Sequence, residues 1–145
     1  MKIKSLESFS NEFVSLVRLT TDDGHQGWGQ ISPYNADISA TIMHRQVAPH
    51  AVGMEVPDTD GILDLVHRIY EREHKWPGSY MCRALGGLDT ALWDLHGKIQ
   101  QKSVCELLGG IPRPFPVYAS SMRRDITPAD EAKRLAALQQ ECGYT

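Results

Sequence analysis

The chain has 145 residues, 41% hydrophobic and 23% charged, which fits one globular domain with a thin but real core. A net charge of −3 with scattered Lys and Arg argues against a nucleic-acid footprint, and no apolar run reaches the roughly 18 residues of a membrane span. The opening MKIKSLESF lacks the apolar core and cleavage site of a signal peptide, and Cys82, Cys105 and Cys142, odd in number and widely spaced, read as reduced thiols of a cytoplasmic protein.

The first third reads as β. Residues 2–9 alternate loosely around Ile3, Leu6 and Phe9, and 13–20 are rich in β-branched and aromatic types. Asp22-Asp23-Gly24 supplies a tight hairpin, because Asp-Gly suits positive φ. Residues 25–32 return as the partner strand, with Gly27 and Gly29 permitting close backbone approach. The three segments make an antiparallel meander. The middle reads as helix: 36–47 after an Asn35 cap and stopped by Pro49, then 62–74, where Ile62, Leu65, Val66, Ile69 and Tyr70 share one face. Asp58 and Asp60 suit the start of the latter. Trp76-Pro77-Gly78 breaks it.

A long helix over about 80–100 follows, with Met81, Leu85, Leu88, Leu92, Leu95 and Ile99 in one stripe. Gly86, Gly87 and Ala91 remove bulk, so another element can approach it. Trp93 brings a large apolar surface and an indole N–H that needs a partner. Asp94 and Lys98 are spaced to pair along the helix, and His96 beside the stripe reads as structural. Residues 104–108 add one turn, closed by Gly109-Gly110. A proline-punctuated linker over 111–116 leads to a short strand at 117–121. Thr127-Pro128-Ala129-Asp130 then opens a helix with the stripe Ala132, Leu135, Ala136 and Leu138, and Gly143 ends it.

GHQGWGQ in the meander, GLDTALWDLHGK in the long helix and the closing SVCELLGG occur together and in that order. The combination resembles the mandelate racemase/muconate lactonizing group of the enolase superfamily, over essentially the whole chain. The fold implied is α+β: a three-stranded antiparallel meander followed by a helical bundle, with the first strand and helix of a truncated (β/α) barrel. Residues 1–112 are expected to form the capping domain. Residues 113–145 are expected to be the linker and first β/α unit.

Sugar-acid dehydratases are the branch most resembled. The full-length protein would use Mg²⁺ and a Lys or His base to take a proton α to a carboxylate, then lose the β-hydroxyl. A racemase, epimerase or cycloisomerase of the same group is the alternative, and a non-catalytic interaction module or partial gene product is an alternative of another class. No catalytic residue and no Mg²⁺ ligand are expected in this chain, which should be silent alone. Small carboxylates are the expected partners, with no nucleic acid and no membrane. Relatives' habits imply a homo-oligomer.

Specificity is what the resemblance leaves to this region. The first capping loop, roughly 10–12, is very short and leaves room for a long polar substrate. The second, 30–37, offers Tyr34 and Asn35 as hydrogen-bond partners of substrate hydroxyls. Packing by Tyr34 and helix capping by Asn35 are the competing roles. Gln30 stands where many relatives carry Glu. Trp76 is a candidate pocket wall. Ser120 and Ser121 at the end of the strand would face the site of a complete barrel, and Arg123 with Arg124 just beyond are candidates to attract the substrate carboxylate, unless the arginines simply solvate a loop. His67, Glu71 and His74 share a helix face suited to a metal, but Arg68 and Arg72 mark that face as solvated. His25, His44 and His50 show no ligand spacing.

Overall fold

The computed structural model describes residues 1–75, 77–117 and 125–143. Backbone contacts divide the chain into two units, Met1–Ile111 and Pro112–Thr145.

In the first unit β1 (Ile3–Ser10), β2 (Ser15–Thr21) and β3 (Gln26–Ile31) form an antiparallel sheet in chain order. Leu6 lies opposite Leu19, and Val17 opposite Gly29. The two-residue period buries Ser15, Val17, Leu19 and Thr21 on one face. The segment after the first helices covers part of the β1 edge, with the Ile3 N–H donating to Met54 O at 2.9 Å. The β2–β3 turn differs from a hairpin with Asp and Gly both at positive φ. It has three residues, 22–24, and only Gly24 is left-handed, at φ 92°. The Thr21 N–H closes it onto His25 O at 3.0 Å. Asp23 keeps a φ outside the positive range while its carboxylate accepts from the Thr21 hydroxyl and faces the His25 ring. Those contacts, the hydroxyl first, pull the Asp23 pKa down to about 2.

The helical run after the sheet is α1 (Ala36–Ile42), one π-helical turn (Met43–Val47) and α2 (Ala48–Ala51). Pro49 does not stop it. The Ala48 N–H reaches back five residues to Met43 O, so the wider turn absorbs the donor that proline lacks. Next come α3 (Gly61–Arg72), α4 (Ser79–Gln100) and α5 (Val104–Leu107). The Ser103 side chain caps α5, and Glu106 reaches back to the Ser103 N–H at 2.8 Å, a reciprocal box that the sequence reading missed.

One side of α4 fills the core. Met81, Leu85, Leu88, Leu92 and Leu95 are buried among Val17, Leu19, Ile31, Met43, Val47, Ile62, Leu65 and Ile69. Ile99, the last member of the stripe, stays exposed. Helix and strand meet backbone to backbone. A Cβ on Gly27 would collide with the Ala91 carbonyl and lie 2.8 Å from Leu95 Cβ. On Gly29 it would strike the Gly87 carbonyl and lie 2.8 Å from Ala91 N. Gly87 has the same constraint from the other side, 2.8 Å from Ile31 Cγ1, whereas Gly86 faces open space and does not serve the close approach. Asp94 then ties the strand edge down. Its Oδ2 accepts from the Trp28 N–H at 2.7 Å and from Lys98 Nζ, while Lys98 also donates to Gln26 O at 3.3 Å. His96 is buried and donates to Pro57 O, as a structural histidine should.

In the second unit α6 (Pro128–Cys142) starts as its sequence dictates. Thr127 Oγ1 accepts from the Asp130 N–H at 3.3 Å, proline occupies the first turn, and Gly143 ends the helix at φ 68°. No residue of α6 is buried. Val117 is outside any strand, and the rest of the strand expected at 117–121 lies outside the described residues.

Two outcomes are expected. Gly29→Val should cost about 2–4 kcal/mol in urea unfolding, because backbone cannot move aside, whereas Gly86→Ala should gain about 0.5–1 kcal/mol by helix propensity. Burial holds the Asp89 carboxyl above the usual range, against the pull of the Trp93 indole. A raised carboxyl stabilises below its unfolded pKa and loses that as pH rises through the folded value. Asp89→Asn should therefore raise the thermal midpoint at neutral pH and leave it unchanged near about pH 3, where aspartate is protonated in both states.

Candidate functional site

Because β3 runs antiparallel to α4, the chain leaving β3 is delivered to the start of that helix. Gly27 lies over Ala91 and Leu95, and Gly29 over Gly87. The next residues, 32–35, arrive beside Tyr80 and Arg83. The β2–β3 register also places this second loop against the first, since Ser15 lies opposite Ile31.

The first loop is a tight turn over 11–14. Asn11 Oδ1 accepts from the N–H groups of Phe13 and Val14, each at 2.8 Å, and the Asn11 N–H donates to Val14 O at 2.9 Å. Two backbone bonds join it to the second loop: Tyr34 N–H to Phe13 O at 3.3 Å and Ala36 N–H to Glu12 O at 3.1 Å. The rings of Phe13 and Tyr34 meet edge to face at 6.3 Å. Tyr34 is 64% exposed, and its hydroxyl has no hydrogen-bond partner among the described residues.

Asn35 precedes α1, yet its side chain does not cap the helix. Its backbone is left-handed, φ 52°, and its Nδ2 donates instead to Tyr80 Oη at 3.0 Å. The capping expectation for Asn35 fails because a left-handed residue does not aim its side chain at the next N–H groups. Tyr34 is left-handed as well, φ 64°. Arg83 Nη1 donates to Tyr34 O at 3.1 Å and Pro33 O at 3.4 Å, and its guanidinium lies 5.6 Å over the Tyr80 ring.

Tyr34 and Asn35 thus come together with Phe13, Tyr80 and Arg83, three residues that the sequence reading passed over. Their only sequence signal was Tyr80 and Arg83 one turn apart, off the apolar stripe, at the start of the helix. Trp76, Ser120, Ser121, Arg123 and Arg124 lie outside the described residues.

Two other groupings are set apart from these loops. On the outer face of the sheet the Phe9 and Trp28 rings stack at 5.6 Å. Arg18 lies over both and forks onto Glu7 at 2.9 and 3.0 Å, which lowers the Glu7 pKa and raises that of Arg18. On α3, His67 Nε2 is 3.6 Å from Glu71 Oε1, but His74 turns back to donate to the Glu71 carbonyl at 2.7 Å. Among the described residues no three His, Cys, Asp or Glu side chains are placed to hold a metal ion.

The sequence matches the mandelate racemase/muconate lactonizing enzyme N-terminal domain over residues 2–109. The chain belongs to this family. A racemase/lactonizing-family crystal structure from Paracoccus denitrificans, complexed with magnesium, is 34% identical with a TM-score of 0.79, over 97% of this chain and 39% of that one. A Roseobacter denitrificans structure, provisionally called a racemase, is 56% identical with a TM-score of 0.84, over 97% of this chain and 37% of that one. A D-galactonate dehydratase family member of Paenibacillus is 33% identical over 132 residues, 89% of this chain and 32% of the relative. The chain spans about a third of the length of the curated relatives it matches. No helix among the described residues is long and apolar enough to cross a membrane.

The left-handed pair sets a graded expectation. Asn35→Gly should be tolerated within a few tenths of a kcal/mol, and Asn35→Val should cost about 1–3 kcal/mol in urea unfolding, because a β-branched residue resists positive φ.

Proposed function

We propose that this chain is the capping, specificity-bearing portion of a magnesium-dependent sugar-acid dehydratase. The whole enzyme removes the proton α to a carboxylate and then expels the β-hydroxyl. On this reading the base and the metal ligands come from barrel strands that the described residues do not contain. Residues 1–112 form the cap, and 113–145 supply the linker and the first β/α unit. The chain alone is then catalytically silent. The protein works as a cytoplasmic homo-oligomer on small carboxylates.

The observation that carries this reading is the joined pair of loops. The first is only a turn, so it leaves the space above a barrel mouth open to a long substrate. The second presents the Tyr34 hydroxyl, which can both donate to and accept from a sugar hydroxyl. Asn35 has given one donor to Tyr80 and keeps its carbonyl oxygen as an acceptor. Similarity to a D-galactonate dehydratase family member supports the substrate class. A racemase is the second reading, favoured by the 56% identity to the Roseobacter protein; it keeps the proton abstraction and omits loss of the hydroxyl.

Backbone amide NMR of the chain titrated with D-galactonate, and in parallel with mandelate, tests the site. Shifts at 12–14 and 32–35 with millimolar galactonate, absent in Tyr34→Phe, are expected. Shifts confined to other elements, or equal responses to the aromatic acid, would overturn the assignment. Incubation with magnesium and a panel of sugar acids should yield no 2-keto acid; chelator-sensitive turnover would end the capping reading.

A further inference from the structure

The second loop holds two consecutive non-glycine residues in left-handed backbone, Tyr34 at φ 64° and Asn35 at φ 52°. Asparagine visits that region readily, whereas tyrosine does so only where its surroundings over-determine it. Backbone bonds to the first loop fix the Tyr34 and Ala36 N–H groups. They leave the carbonyls of Pro33 and Tyr34 unheld, and these are what Arg83 takes.

A single nitrogen, Arg83 Nη1, donates to both carbonyls, at 3.4 and 3.1 Å. Successive carbonyls point to opposite sides of an extended chain and to the same side in a helical one of either hand. One nitrogen can therefore reach both oxygens only while Tyr34 is in a helical well. The right-handed well is the ordinary choice for a tyrosine. Here the two loop-to-loop bonds, with Asn35 Nδ2 anchored on Tyr80, require the chain to turn the other way. Tyr80 also lies under the Arg83 guanidinium, so the two α4 side chains brace each other. The anchor is rigid, because α4 is buried against the sheet one turn later, at Ala84, Gly87 and Leu88.

We infer that Arg83 is a positioning residue: from outside both loops it clamps Tyr34 in the helical backbone whose left hand the loop-to-loop bonds impose, and so sets where the Tyr34 hydroxyl is presented. This rests on the reading of Tyr34 as a substrate contact. Specificity in the cap is then written partly on the scaffold helix. Loop sequence alone does not determine which acid fits, since the same SPYN loop over an α4 without Arg83 presents its tyrosine elsewhere.

The test uses the 145-residue chain without substrate, so its outcome is independent of the galactonate titration. Amide hydrogen exchange is read at Tyr34 and Ala36, with the Tyr34 ring proton shifts reporting contact with Phe13. Arg83→Met should speed exchange at both amides about tenfold or more and move the ring shifts toward those of an isolated tyrosine, with Leu88, Leu92 and Leu95 amides unchanged. Arg83→Lys should fall between, since an ammonium lacks the planar fork. Glycine is indifferent to the sign of φ, so in a Tyr34→Gly background the effect of Arg83→Met on the Ala36 amide should shrink to about twofold or less. An Arg83→Met chain with exchange within about twofold of the parent overturns the proposal. So does equal acceleration of the α4 core amides, or an undiminished effect in the Tyr34→Gly background. If Arg83→Met does not fold, Arg83→Lys takes its place, and the same three results would overturn the proposal.

Discussion

The contact of β3 with α4 governs the rest of the first unit. Two strand glycines, Gly27 and Gly29, rest on helix carbonyls with no room for a methyl group, and Gly87 returns the same constraint from the helix. Such a contact is short-range and strict, so it sets distance, register and direction together. Asp94 and Lys98 hold the strand by its backbone at the far end of the same contact. That arrangement also occupies polar groups of a strand at the edge of the sheet, where open pairing would otherwise invite another chain.

From that contact the position of the loops follows by counting. Each step along β3 toward Ile31 moves back along α4 toward Ser79, so the loop after β3 must meet Tyr80 and Arg83. Antiparallel pairing with β2 brings the 11–14 turn to the same place. Two loops separated along the chain become one surface because a sheet and a helix share a rigid seam. The apolar core behind them, centred on Leu88, Leu92, Val17 and Ile31, keeps the seam from sliding.

The surface so built is suited to recognition. It offers hydroxyls, an amide and aromatic edges, and the Arg83 cation is engaged with loop carbonyls. Proton abstraction needs a base beside a reacting carbon and concentrated positive charge for the enolate that forms. Under the proposed function those groups belong to a barrel mouth, and this surface is assigned the reading of substrate shape.

Much of this was legible in the residues. Loose alternation marked the first strand, β-branched and aromatic composition the second and the Asp-Gly turn the third; the i, i+3, i+4 stripe marked α4, and Thr127-Pro128 with Gly143 marked both ends of α6, because these signals act within a few residues of themselves. Spacing likewise paired Asp94 with Lys98, though not with the Trp28 N–H sixty-six residues away. Other features needed three dimensions. Gly86 and Gly87 are equivalent on paper, yet only one faces the sheet. Pro49 reads as a stop, but a π-helical turn accommodates it. Asn35 reads as a cap, but loop-to-loop bonds twist it left-handed and hand its amide to Tyr80. Arg83 shows in the sequence only as a residue one turn after Tyr80 and off the apolar stripe, because its partners are carbonyls about fifty residues away, brought to it only by the register of strand on helix. Local chemistry determined which elements form; the close backbone seam decided which residues meet, since contact across a fold depends on the helix's rotation and offset, which no short stretch of sequence encodes.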